Sequence, residues 1–454
     1  MNSEKHKFLK YSVAQKNVIL YGKKTIFQRY KSILILIIFI CMILLIVFIY
    51  ETIKFVLYFI YDKLNIFIDS LKSKNINNGN VYSFYLEYYM DESDKMKSLE
   101  RGQNFFNLCI KGKLINKLPK DENIKNDPLI SVIIPVYNTK DKIKSVVRSA
   151  QNQNISNIEI ILVNDFSDYE TYKAIKKLQK EDHRIICIHN KKNKGILYSR
   201  CIGTIKAKGK YIFPLDNDDF FFDEKLFYDI SNEAEKGNFD IVEFRGASRG
   251  IYDQPPNEYQ NTNYSNHQHG LTLYQPELGQ YAWKRGNIFG IYDCFLWAKC
   301  IRTDVYKATI NYLGKKIYSH KIIWGEDLIV SFVLFRVAKS FKFIGKYGIF
   351  RFLNKTTATY HTPERMIAFS KIIYLYVILK FSDNTFIDKK YVSFRALGFL
   401  KSFKKLNLGK KNFKYLKKIV KLILKNNFLS IEDKTQIKVV FQQIEASFKN
   451  KLII

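Results

Sequence analysis

Between residues 129 and 219 the chain repeats one pattern: a short apolar, β-branched run, a polar stop, then a stretch with helical periodicity. "LISVIIPVYN" (129–138) is closed by Pro135 and Asn138 and precedes "KDKIKSVVRSAQNQ", in which Ile143, Val146, Val147 and Ala150 share a helical face. "IEIILVND" ends in Asn164 and Asp165 and leads into "YETYKAIKKLQKE". "RIICIHN" leads into "GILYSRCIGTIKA", and "KYIFPLDNDD" ends in an acidic cluster. Apolar strands alternating with helices predict an α/β fold, a mostly parallel sheet with flanking helices. Ligands of such sheets bind outside the carboxyl ends of the strands, so Asn138, Asp165 and the Asp216 cluster are expected to converge on one crevice.

Asp216, Asp218 and Asp219 form that cluster in a chain of 454 residues with 74 Lys and Arg against 42 Asp and Glu, a formal charge of +32. Crowded carboxylates repel, so the cluster points to a hard divalent cation; a solvated acidic turn is the alternative. An EF-hand is excluded, because Phe221 stands where its turn Gly belongs and Phe227 where its bidentate Glu belongs. No Gly-x-Gly-x-x-Gly fingerprint or Walker loop occurs, so phosphates would be met by a metal rather than a glycine cradle. The basic balance implies an anionic partner: a membrane surface, nucleic acid, a nucleotide or an acidic polymer. Six Cys without a Cys-x-x-Cys pair support neither a zinc site nor a redox motif; in an oxidising lumen some of Cys109, Cys187, Cys201, Cys294 and Cys300 could pair.

Residues 33–50, "ILILIIFICMILLIVFIY", carry no charge and are long enough to cross a bilayer as a helix. The run is longer than a signal-peptide core and has no small-residue cleavage site, so an anchor is the expectation. Residues 1–32 are strongly basic, which keeps them cytosolic and places the remainder outside or in the lumen, a single-pass type II arrangement. In a eukaryotic cell that lumen would be Golgi or ER. Sequons at Asn154, Asn263 and Asn354 would then be open to glycosylation. Residues 51–128 read as a stem, 129–364 as the α/β domain and 365–454 as a basic helical region.

Four motifs now carry a resemblance to the family-2 glycosyltransferases: "SVIIPVYN", "EIILVNDFSD", "NKGILYSR" and "FPLDNDD"; a fifth, "WGEDLIVSF" (324–332), resembles their acceptor-side Glu-Asp motif. The likeness covers roughly residues 129–360. It implies a GT-A fold, Rossmann-like, and inverting transfer from a nucleotide-sugar donor, expected to be UDP-linked, with Mn²⁺ or Mg²⁺. Asn164 departs from the Asp usual there. By resemblance the donor site comprises Pro135, Tyr137, Asn138, Asp165, Asn193, Gly195, Arg200 and Asp216, with the metal on Asp218 and Asp216. Tyr137 would stack on the base or plug the core; Arg200 would lie near base or phosphate, or on a helix surface. The same resemblance makes Asp327 the catalytic base, with Glu326 orienting the acceptor or exchanging roles. Alternatively both are acids at a helix start. Trp324 belongs to the acceptor side, and Trp297 is either an acceptor platform or a core residue.

Residues 246–290 read as a long functional loop setting acceptor choice, with His267 and His269 on its surface. In "KKNFKYLKKIVKLILKN" (410–426) an apolar stripe faces a lysine face, which suits a helix lying on anionic lipid or one packed on the core. The acceptor, whether glycan, lipid or protein, is not readable. Two rivals stand: the same fold moving a polyol phosphate from a CDP donor, and a non-catalytic polyanion-binding membrane protein. Nucleic acid is not an expected partner, since Asp216, Asp218 and Asp327 would sit in the crevice of a phosphate-binding stripe.

Overall fold

The computed structural model describes residues 101–113, 127–249, 270–352 and 362–450, apart from 103, 112, 276, 282–283, 286–287, 290–293, 383–385, 405–407 and 427–428. The predicted tail, anchor and most of the stem lie outside them, as do Cys41, Asn263, His267, His269 and Asn354. Among the described residues no helix is long and apolar enough to cross a membrane.

In chain order the elements are β1 (Ile130–Val136), α1 (Lys142–Gln151), β2 (Ile158–Asn164), α2 (Tyr169–Glu181), β3 (Ile185–His189), α3 (Ile196–Lys206), β4 (Tyr211–Pro214), β5 (Phe220–Phe221), α4 (Leu226–Gly237) and β6 (Ile241–Arg249). There follow β7 (Thr272–Tyr274), α5 (Leu278–Tyr281), β8 (Lys284–Arg285), β9 (Ile288–Phe289), β10 (Lys299–Arg302), α6 (Thr303–Leu313), α7 (Lys315–Tyr318), α8 (Glu326–Val337) and β11 (Ser340–Phe352). Four helices complete the chain: α9 (Glu364–Phe381), α10 (Phe386–Phe403), α11 (Gly409–Lys425) and α12 (Ile431–Asn450).

The main sheet runs β3-β2-β1-β4-β10-β6-β11-β5, with β7 also on β11. The predicted strands β1 to β4 pair in parallel, Ile130 opposite Ile158 and Tyr211. Beyond β4 the expected parallel order gives way to a mixed one. β10 inserts antiparallel to both β4 and β6, and β11 runs parallel to β6 but antiparallel to β5 and β7. A four-residue strand such as Lys-Cys-Ile-Arg carries no directional signal of its own.

Side chains alternate across the strands. Val132, Ile134 and Val136 join the core beneath α1, α2 and α4, whereas Ile133 joins the core shared with α3, α6 and α8. Each such fully buried residue contributes about 1.5–3 kcal/mol. The second core continues without a break into α9–α12, through Ile372, Leu375, Leu400, Leu416 and Ile437. All of these elements belong to one compact unit, Glu87–Ile454.

Candidate active site

The ends of β1 and β2 are stitched together by short polar links. Asp165 N donates to the Val136 carbonyl at 2.8 Å, Asn138 N to Ser167 Oγ at 3.1 Å, and Asp168 N to Asn138 Oδ1 at 2.8 Å. Asn138 has φ 52°, a left-handed conformation that Asn tolerates better than most residues. Asn164, the departure from the motif, is buried; its Nδ2 lies 3.1 Å from His189 Nδ1 and its Oδ1 accepts from Ser167 N.

Asp165 is 3% exposed and holds the loop that enters α3. Its Oδ1 accepts from Asn190 Nδ2 at 2.8 Å and Lys194 N at 2.7 Å, and its Oδ2 from Gly195 N at 2.7 Å. The carboxylate thus shapes the wall that carries Asn193 and Gly195. Gly195 has φ 90°, and a Cβ there would come within 2.6 Å of the Ile322 carbonyl. Only glycine permits both the conformation and the approach.

A cavity of about 1040 Å³ opens at these strand ends. Its wall includes Pro135, Tyr137, Asn138, Asp165, Asn193, Gly195 and Asp218, so seven of the residues singled out from sequence meet in it. Lys140, Lys142 and Lys321 also line it, as do Ile323, Pro363 and Met366 from the acceptor-motif side. Sequence reading missed these lysines because each is one exposed cation among many. Tyr137 is 49% exposed, which removes the core-plug alternative. Asn193 Oδ1 is a buried acceptor with no hydrogen-bond partner among the described residues, on a wall where a ligand N–H could meet it.

Arg200 is placed otherwise than on a surface. It is 1% exposed, and its Nη2 donates to Asp216 Oδ1 at 2.7 Å and Glu326 Oε1 at 3.2 Å. Burial works against its charge, but Asp216, Asp327 and Glu326 together outweigh burial and hold the guanidinium protonated. Burial raises the Glu326 carboxyl above its usual range; Arg200 opposes that rise and Asp216 adds to it. Three carboxyl groups thus lie around one buried guanidinium. Glu326 and Asp327 occupy the first turn of α8, behind Gly325 at φ 69°, where the helix dipole favours acids.

Trp297 is 4% exposed, its ring centroid 5.2 Å from that of Phe295 within the apolar core, so it does not reach the cavity as an acceptor platform. Trp324 is half-buried, with Lys371 Nζ 5.8 Å from its ring centroid. Among the described residues no group of three His, Cys, Asp or Glu side chains is placed to hold a metal ion. Asp218 is one of four carboxylates on the cavity wall, with Asp141, Asp165 and Glu170; Asp165 is already held by Asn190, Lys194 and Gly195, whereas a carboxylate such as Asp218 suits Mg²⁺ or Mn²⁺. Cys109, Cys187, Cys201, Cys294 and Cys300 form no disulfide among the described residues, and burial pushes the thiols of Cys109 and Cys187 up to about 12.

Comparison with known proteins bears on this arrangement. The sequence profile of Glycosyl transferase family 2 matches residues 131–299. The Escherichia coli UDP-Glc:alpha-D-GlcNAc-diphosphoundecaprenol beta-1,3-glucosyltransferase WfaP is 37% identical over 140 residues, 28% of this chain and 52% of that protein. The Bacillus subtilis uncharacterized glycosyltransferase EpsJ is 37% identical over 115 residues, 25% of this chain and 33% of the relative. The matches therefore span about half or less of these relatives' length. Residues 1–349 of S. aureus TarS, solved in complex with UDP-GlcNAc, align over 71% of this chain and 92% of that one at 14% identity and TM-score 0.48. On its match over residues 131–299, this chain carries a family 2 glycosyl transferase domain.

Proposed function

We propose that the chain transfers a sugar from a nucleoside-diphosphate sugar, UDP-linked by preference, to an acceptor hydroxyl, with inversion and with a divalent metal. The observation that carries this reading is Arg200: one buried guanidinium ties Asp216, at the end of β4, to Glu326 of the acceptor-motif helix. Residues for both halves of a transfer thus share one ion-pair network. The family match and the UDP-glucose donor in the name of WfaP support the donor class.

Within the cavity, the Tyr137 ring offers a stacking face to the base, and Asn193 Oδ1 accepts from base or ribose. Lys140, Lys142 and Lys321 offset the charge of the diphosphate. Asp218, with Asp216 beside it, would hold Mg²⁺ or Mn²⁺, which when bound stabilises negative charge on the leaving diphosphate. Asp327 takes the acceptor proton as the anomeric carbon becomes oxocarbenium-like, and attack from the face opposite the diphosphate inverts that centre. Glu326, pinned to Arg200, fixes the start of α8 and thereby the position of Asp327.

Anchoring by residues 33–50 in a type II sense belongs to the same proposal. Asn154 is exposed, so luminal placement predicts a glycan on it. The acceptor is a glycan, lipid or protein hydroxyl. The test of transfer is nucleotide release by the full chain from UDP-, GDP- and CDP-linked donors, with Mn²⁺ or chelator, for wild type and Asp218→Ala. Metal-dependent release that Asp218→Ala abolishes supports the reading and names the nucleotide. A folded protein that releases nothing from any donor while binding polyanions overturns it.

A further inference from the structure

Helix α11 offered two readings in sequence, and the structure separates them. Asn412, Leu416, Ile419, Val420 and Ile423 are buried, and the helix packs on α9 and α12, so its apolar stripe is already occupied. Seven lysines, Lys410, Lys411, Lys414, Lys417, Lys418, Lys421 and Lys425, are all exposed. At 3.6 residues per turn they fall within an arc of about 120° centred opposite the buried stripe, along roughly 23 Å of helix. Only Lys417 has an ionic partner among the described residues, Glu445 at 3.1 Å. Tyr415 and Leu422, 37% and 46% exposed, flank the lysines on one side.

The row begins close to the cavity. His320 lies 5.3 Å from the Phe369 ring and Phe369 6.1 Å from Tyr415, while the charge of Lys411 is felt at His320. The next residue, Lys321, lines the cavity.

We propose that the lysine face of α11 docks on an anionic lipid surface beside the mouth of the cavity. A straight row of point charges fits the diffuse negative field of a bilayer. It lacks arginine, whose planar fork reads phosphates and base edges bidentately. Tyr415, on one flank beside Leu422, is a side-chain type that settles at the headgroup level. Because the apolar stripe is occupied by the fold, the helix rests on the surface without inserting, and the contact is electrostatic and reversed by salt. The contact does not depend on the transfer reaction, so binding is tested without turnover.

The experiment is amine-acetylation footprinting of the full chain with nanodiscs of phosphatidylcholine alone or with about 30% phosphatidylglycerol. Lys236 on α4, beneath the other face of the sheet, serves as internal control. The expected result is labelling of Lys414, Lys418 and Lys421 slowed at least about tenfold by the anionic discs only. The labelling rate returns in about 0.5 M NaCl. In Lys414→Glu/Lys418→Glu/Lys421→Glu, three exposed positions whose exchange should leave the melting temperature unchanged, Lys411 and Lys425 should label equally in both discs. Equal labelling of the wild type in both discs overturns the proposal. So does protection by an oligonucleotide with none by anionic discs, which would make the face a nucleic-acid surface.

Discussion

The two halves of the sheet place their polar side chains in opposite ways. Along β1, β2 and β4 the strand interiors are largely apolar, and Asn138, Asp165 and Asp218 stand at or beyond the carboxyl ends, on the cavity wall. Along β6, β10 and β11 charges lie inside the sheet. Lys299 and Glu243 sit opposite each other in register, 2.7 Å apart with side chains 2% and 4% exposed, and buried Asp240 holds Arg302 at 2.8 Å. A charge sealed within a sheet requires a permanent partner, whereas one at a strand end can exchange water for a ligand. The first half is arranged to receive something, and the second to hold itself together. Arg200 joins them, sealed like the second kind yet bound to residues of the site.

The sharpest way to break this comparison is to remove a sealed cation from each half. Lys299→Met should cost roughly 3–5 kcal/mol in denaturant unfolding, because buried Glu243 loses its cation; Lys299→Met/Glu243→Leu should recover most of it with transfer intact. Arg200→Met should cost a similar roughly 3–5 kcal/mol, but no apolar replacement of Glu326 should restore transfer. If Arg200→Met/Glu326→Leu turns over donor normally, the network is structural and the distinction collapses.

Next in size, Asp165→Ala should lose about 2–3 kcal/mol with its charged hydrogen bonds, and the donor KM should rise more than kcat falls. Smaller still is a pH effect at Asp182, which lies away from the cavity. Burial alone would raise its carboxyl, but hydrogen bonds from Arg184 and Gln151 and the Arg184 charge hold it below the ordinary value. Its contribution is therefore complete above an unfolded pKa of about 3.9 and is lost as pH falls through the lower folded value. Asp182→Asn should be less stable than wild type at neutral pH, and the gap should close below about pH 4. The least change in stability is expected for Asp218→Ala, within about 0.5 kcal/mol, alongside the loss of donor turnover.

What sequence made legible follows the same division. The bounds of α2 and the ends of β1 and β2 were readable because uninterrupted β-branched runs meet polar stops there. Converging Asn138, Asp165 and Asp218 required only the rule for parallel strand ends. Arg200 was misleading because α3 is covered on several sides, so its "ILYSRCIG" has no polar face to mark the arginine as inward. Trp297, between Leu296 and Ala298, was ambiguous because core and platform tryptophans share the same local pattern. The insertion of β10 between β4 and β6 depends on contacts between residues far apart in the chain, which no local run encodes. In α11 the periodicity was plain, but only its packing on α9 and α12 reveals which face is occupied.

Gly195 has a consequence beyond its backbone angle. The wall carrying Asn193 meets the segment that leads to Glu326 at the point where Gly195 lies against Ile322. Their clearance is therefore set main chain to main chain, with no rotatable side chain between. Rotamers in proteins hop on the nanosecond scale, whereas packed backbone does not. The gauge between the two walls is thus a fixed dimension of the fold, one that thermal agitation of side chains cannot loosen, and a single added methyl would reset it.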